Sequence, residues 1–216
     1  MKPKDICKQA WIEIGSNFKD FKMIKNGQIL KKISKNKDLT FFISFQANRR
    51  NHAFSIQFSV HFWIESKDMK KDRINNGIVY GGELETLINR GRSFRWFELA
   101  GASYSYSVEE VIQLLKHYIL PICDDFEDTE SNIDKILEKK HRSFDVFYYI
   151  YFFGGKEKAE RYLQDFISQS SLKNKYIAFY KSLENIAKDY IDIHHSEFVG
   201  ANMIKFAYLN GIKISQ

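Results

Sequence analysis

Residues 54–65 alternate without a fault. Phe54, Ile56, Phe58, Val60, Phe62 and Ile64 fall on one side, and Ser55, Gln57, Ser59, His61, Trp63 and Glu65 on the other. A period of two over this length is the signature of a half-buried antiparallel strand. Upstream, Leu39, Phe41, Ile43, Phe45 and Ala47 form a second apolar row opposed by Thr40, Phe42, Ser44 and Gln46, so residues 38–66 read as one hairpin turned by the basic loop NRRNHA. Pairing Ala47 with Phe54 sets Phe45 against Ile56, Ile43 against Phe58 and Phe41 against Val60, which keeps apolar beside apolar along the ladder. The outer face then pairs Gln46 with Ser55, Ser44 with Gln57, Phe42 with Ser59 and Thr40 with His61. Phe42, Gln57, His61 and Trp63 on that face are the first candidates for a binding surface. The competing reading is that a helix or loop covers these aromatics, as usually happens to large rings.

At 216 residues the chain can bury roughly 70% of its unfolded surface, enough for a large domain or a smaller one with an extension. The net charge of +6 is uneven. Residues 1–50 carry twelve Lys and Arg against four Asp and Glu, whereas residues 107–150 carry five against ten. A basic end of this kind suits an anionic partner, or it is a Lys-rich solvated surface. Cys7 and Cys123 are the only cysteines and lack metal-ligand spacing, which fits a reducing cytoplasm better than a disulfide framework. No apolar run follows the basic first residues, and the longest, 146–153, is far below the ~20 residues of a membrane span. The expectation is a cytoplasmic protein without membrane contact.

Along the chain, Ile6, Ala10, Trp11, Ile14 and Phe18 predict a first helix over 4–18. A short strand over 28–33 follows the Asn26-Gly27 turn, with Lys31 and Lys32 suiting an exposed sheet edge. Residues 66–92 hold Asn76-Gly77, Gly81-Gly82 and Gly91 and read as a long Gly-rich insertion, with a short helix over 83–89. If the outer hairpin face is covered, this insertion becomes the better site candidate. SFRWFELA, residues 93–100, is the expected fourth strand. Ser107 and Glu110 form a capping box opening a helix that Pro121 stops. The acidic run CDDFEDTESN marks a boundary, and only helical periods lie beyond it: around 133–137, 144–153, 159–167, 171–190 and 195–209. The fold class is therefore α+β: a helix, an antiparallel sheet of about four strands and a helix over 1–125, then an all-helical extension, 126–216, packed on it.

The string FKMIKNGQILKK, the strand ending ISFQ (residues 43–46), the alternating strand after a short polar loop, RWFEL (95–99) and a helix ending ILP together resemble a bacterial family, domain of unknown function number 4304. The resemblance covers roughly residues 5–125 and departs in the loop NRRNHA and in the longer helical tail. It implies an α+β domain and supplies no catalytic residues.

Arg49, Arg50 and His52 in the hairpin loop, with Arg90, Arg92 and Arg95 near the fourth strand, have the chemistry to grip phosphate or carboxylate groups. Beside exposed aromatics such a rim suits single-stranded nucleic acid, although no RNA-recognition signature is present. Asp189, Asp192, His194, His195 and Glu197 are too loosely spaced for a zinc site and read as helix ends. There is no Gly-x-Ser-x-Gly elbow, and no Gly-Lys-Ser/Thr follows Gly81-Gly82. Neither a metal nor a cofactor is expected. The leading reading is a non-enzymatic protein-binding module, in an immunity or toxin-neutralising setting. The alternatives are a nucleic-acid or nucleotide binder using the basic loop, and an unrecognised enzyme that would need His61 or His52 joined to a carboxylate such as Asp72 or Glu98.

Overall fold

The protein is described by a computed structural model covering residues 1–88, 93–139 and 144–214. It divides into two compact units, Met1–Glu127 and Asp128–Gln216.

The first unit is α+β. Helix α1 (Pro3–Ser16) opens with Pro3, whose missing N–H is tolerated in the first turn. Strands β1 (Lys22–Ile24), β2 (Ile29–Ile33), β3 (Leu39–Ala47) and β4 (Gln57–Ser66) follow. After the short helix α2 (Lys67–Lys71) come β5 (Ile78–Glu83), a single helical turn α3 (Leu84–Leu87), and β6 (Phe97–Glu98). The six strands form one antiparallel sheet in the order β1-β2-β3-β4-β5, with β6 pairing the other end of β4. Helices α4 (Ser103–Leu114) and α5 (Leu120–Glu127) close the unit.

The inner face is the core. Phe41, Ile43, Phe45, Phe58, Val60, Phe62 and Ile64 are buried there, each contributing about 1.5–3 kcal/mol. Trp11 of α1 stacks on Phe45 with centroids 6.4 Å apart, and α1 packs against α4; Cys7, Ala10 and Ile14 of the one and Val108, Val111 and Ile112 of the other are buried. At the opposite end of the sheet, Phe126 of α5 lies 5.7 Å from Tyr80 on β5, and Glu127 pairs with Lys32 on β2 at 3.0 Å.

The hairpin keeps its faces but not its register. Ala47 pairs with Phe58 rather than Phe54, Phe45 with Val60, Ile43 with Phe62 and Phe41 with Ile64. The shift is four residues, an even number, so the inner residues within both strands keep their face. Its cause is the connection, residues 48–56, which folds back on itself instead of continuing the ladder; Phe54, expected in the core row, is 89% exposed. Among the described residues the sheet has six strands rather than about four, the added ones being β1 and β5. The Gly-rich segment contributes β5, where Gly81 lies opposite Trp63 and a Cβ would come within 2.7 Å of the Trp63 backbone. The expected fourth strand shrinks to the two residues of β6.

The capping box does not form. Helix α4 already starts at Ser103, the Ser107 hydroxyl donates to the Glu98 carbonyl at 2.6 Å, and Glu110 is taken by Arg95. Nor does Pro121 stop the helix. The chain widens into a π turn over Leu115–Ile119 just before it, which accommodates a residue without an N–H donor.

The second unit is helical: α6 (Thr129–Lys139), α7 (Phe144–Ser168), α8 (Lys173–Ser182) and α9 (Ala201–Leu209). Val146, Phe147, Tyr149 and Ile150 are buried, as the all-round apolar pattern of that stretch requires. Gly155, at φ 84° and ψ 173°, leaves helical geometry and divides α7 into two helical stretches, close to the helix end that Gly154-Gly155 signals in the sequence. The long helix expected over 171–190 stops at Ser182, and residues 183–200 form an irregular segment with two short 3-10 turns.

Candidate functional site

The outer sheet face is a ladder of braced side chains. Lys31, Phe42, Trp63 and Gly81 are successive cross-strand neighbours on β2, β3, β4 and β5. The rings of Phe42 and Trp63 stack at 5.0 Å and 13°, and on the β2 side of Phe42 the Lys31 ammonium lies 5.7 Å from its centroid. Trp63 Nε1 donates to Glu65 Oε1 at 2.9 Å, and Lys70 pairs with the other oxygen of Glu65 at 3.1 Å. Both aromatics are half-buried. Each spends one face on the other, so the pair ties β3 to β4 and offers little ring surface to a stacking ligand. His61 shares a 3.1 Å hydrogen bond with Ser59 Oγ.

The hairpin loop presents its side chains differently. Arg49, Arg50, His52, Ala53 and Phe54 are all exposed. His52 and Ser55 pair as an isolated antiparallel bridge, so Ala53 and Phe54 sit at the centre of a tight turn. Asparagines and one carboxylate supply the frame. Asn51 Nδ2 donates to the Gln57 carbonyl at 2.9 Å while its Oδ1 accepts from the Gln57 amide at 2.8 Å. Asn48 Nδ2 donates to Gln57 Oε1 at 3.0 Å, and Asn48 Oδ1 accepts from the Arg50 amide. Gln57, expected as a ligand contact, is thus part of the frame.

Glu98 closes it. Its Oε1 accepts from the amides of Ile56 at 2.8 Å, Ala100 at 2.9 Å and Leu99 at 3.2 Å, and Oε2 accepts from Ser55 Oγ at 3.0 Å. Desolvation alone would raise this carboxyl, but the bonds from Ile56, Ala100 and Ser55 outweigh it and hold the group below its ordinary value. The result is an aromatic tip, flanked by two arginines, on a loop whose backbone is fixed.

Other candidates are committed elsewhere. Arg95 makes a bidentate pair with Glu110 at 2.6 and 2.8 Å, lies 3.7 Å from Glu85 and covers the Phe97 ring at 4.6 Å. The bond to Glu110 keeps the guanidinium charged, and no contact joins it to Arg49, Arg50 or His52 among the described residues. Arg90 and Arg92 lie outside the described residues. Neither His52 nor His61 is hydrogen-bonded to Asp72 or Glu98; the His52 Nδ1 accepts from the Phe54 amide at 3.3 Å. In the second unit three members of the loose acidic and histidine cluster, Asp192, His195 and Glu197, converge on an ammonium. Buried Lys205 donates to the carbonyls of Asp192 and His195, each at 2.9 Å, and pairs with Glu197 at 2.6 Å. Among the described residues no group of three His, Cys, Asp or Glu side chains is placed to hold a metal, and no helix is long and apolar enough to cross a membrane.

Sequence reasoning missed Phe54 and its clamp. A period-2 pattern does not report where a hairpin begins, so Phe54 counted as core. The available signal was the pair Asn48 and Asn51, whose side chains favour turns over strand.

Residues 21–125 match the model of the family described as Domain of unknown function (DUF4304), within the span over which the short strings carry the resemblance. No curated protein and no solved structure matches the chain.

Proposed function

We propose that this domain, of a family without an assigned activity, is a non-enzymatic protein-binding module whose contact residue is Phe54. The observation that carries the reading is the 89% exposure of an aromatic ring on a turn fixed by Asn48, Asn51 and Glu98. A single exposed apolar side chain is ordinary on a protein surface; Phe54 is set apart by the hydrogen-bonded turn that presents it, which lowers the entropy lost when its ring enters a partner's pocket. Protein interfaces are dominated by such rigid aromatic and arginine anchors, because little conformational entropy is lost on binding.

The exposed Arg49, Arg50 and His52 also support a second reading, single-stranded nucleic acid. That chemistry needs successive stacking platforms along a strand, whereas Phe42 and Trp63 already stack on each other. One exposed ring favours a protein pocket. The two readings separate in one experiment, with a photoreactive phenylalanine analogue at position 54 of the full chain, irradiated in the source cells. A crosslinked product removed by protease and untouched by nuclease supports the protein reading. A nuclease-sensitive product supports the other, and the absence of any product when Tyr106, exposed on α4, crosslinks efficiently would refute both.

A further inference from the structure

The tip has a charge as well as a shape. Residues 46–64 contain no Asp or Glu, and among the described residues neither Arg49 nor Arg50 forms an ion pair, although both are exposed on the same loop as Phe54. Three cations of the sheet domain are matched, Lys32 by Glu127, Lys70 by Glu65 and Arg95 by Glu110, while Lys22, Lys25 and Lys37, like the two arginines, form no ion pair among the described residues; what sets the arginines apart is their place beside an exposed ring on a fixed turn. The loop's own hydrogen bonds use the amides, the asparagine side chains and Glu98 rather than the guanidinium groups. Two arginines are therefore presented with their planar donor forks unspent, next to an apolar ring on a preorganised turn.

We infer that the partner surface is an apolar pocket rimmed by carboxylates, which receives the Phe54 ring while Arg49 and Arg50 pair with its rim. This rests on the protein-binding reading above and adds the chemistry of the partner. Arginine forks match carboxylates bidentately, and residues 1–50, which include both arginines, carry twelve Lys and Arg against four Asp and Glu. Complementary charge of this kind accelerates association and makes it salt-sensitive, while the buried ring sets the dissociation rate. The fixed turn matters to both, since ring and guanidinium groups must arrive in one geometry.

The test uses the protein crosslinked through position 54, identified by its crosslinked peptide, purified, and titrated with the full chain. The crosslinked peptide is expected to carry Asp or Glu beside apolar residues. Phe54→Ala should weaken binding by about 30-fold or more, as an interface anchor does. The double change Arg49→Glu, Arg50→Glu should weaken it by about tenfold or more, mainly through the association rate, and should flatten the dependence on NaCl. Converting two rim carboxylates of the partner to Lys should restore binding to that double variant in preference to the wild type. Phe54→Ala weakening with no effect of either charge change would overturn the acidic-rim inference and leave the protein-binding reading standing. A partner indifferent to Phe54→Ala would overturn both.

Discussion

Glu98 is the residue on which the geometry of the tip depends, and its removal has a calculable cost. In Glu98→Ala, four donors lose their acceptor. Leu99 N is cushioned because it also donates to the Ile56 carbonyl at 2.6 Å, and the Ser55 hydroxyl can turn to water. The amides of Ile56 and Ala100 are left. Hydrogen bonds to a charged group contribute about 1.5–3 kcal/mol each, and the partly exposed site lets water recover some of this, so the expected loss is about 3 kcal/mol. For a unit of this size that corresponds to a fall in Tm of about 10 °C. Glu98→Gln keeps one acceptor oxygen for the amides and should cost about 1 kcal/mol. The effect of pH has a defined sign. The folded carboxyl titrates below its ordinary 4.5, so the clamp contributes fully above that value and fades as pH falls through the lower folded-state value. Cys7, the titratable group facing it from α1, stays a neutral thiol in that range. Hydrogen exchange followed by mass spectrometry over residues 48–58 and 97–101 is the assay. Exchange there should rise in Glu98→Ala and, in the wild type, as pH falls through the lowered folded-state value of Glu98, before the rest of the sheet opens. If tip exchange and Tm in Glu98→Ala match the wild type, the loop is held by something other than this carboxylate.

Three further outcomes follow from the same packing. Gly81→Ala places a methyl within 2.7 Å of the Trp63 backbone and should destabilise the first unit by about 2–4 kcal/mol, seen as a lower urea midpoint. Lys205→Met removes the ammonium that gathers the Asp192 and His195 carbonyls and Glu197; exchange over 191–200 should accelerate, with a loss of about 2–3 kcal/mol. Burial raises the Cys7 thiol to about 11 and Cys123 to about 12, so at pH 8 a thiol reagent should label neither in the native protein and both after unfolding.

The hairpin's inner row was legible in the sequence because burial on one face enforces period two, and an even register shift leaves that row intact. Its register was not, since period two does not mark where a strand begins: the turn-favouring Asn48 and Asn51 were a local sign, but the carboxylate of the distant Glu98, which fixes the turn with them, leaves none. Strand β5 was hidden by Gly81-Gly82, which read as loop, although Gly81 is required by the close approach to Trp63. Ser107 and Glu110 matched a capping box in spacing alone; the tertiary partners Glu98 and Arg95 claimed them. The basic loop was visible as a candidate site, while Phe54 stayed masked by a pattern that it happened to continue.

The central claim is that the contact surface is the hairpin tip rather than the aromatic sheet face. The most direct measurement is the affinity of the purified partner for Phe54→Ala and Trp63→Ala, each checked for an intact sheet by circular dichroism. The tip account predicts a loss of about 30-fold or more for Phe54→Ala and less than about threefold for Trp63→Ala, whose ring braces Phe42. The reverse order, with Trp63→Ala abolishing binding and Phe54→Ala leaving it unchanged, would contradict it.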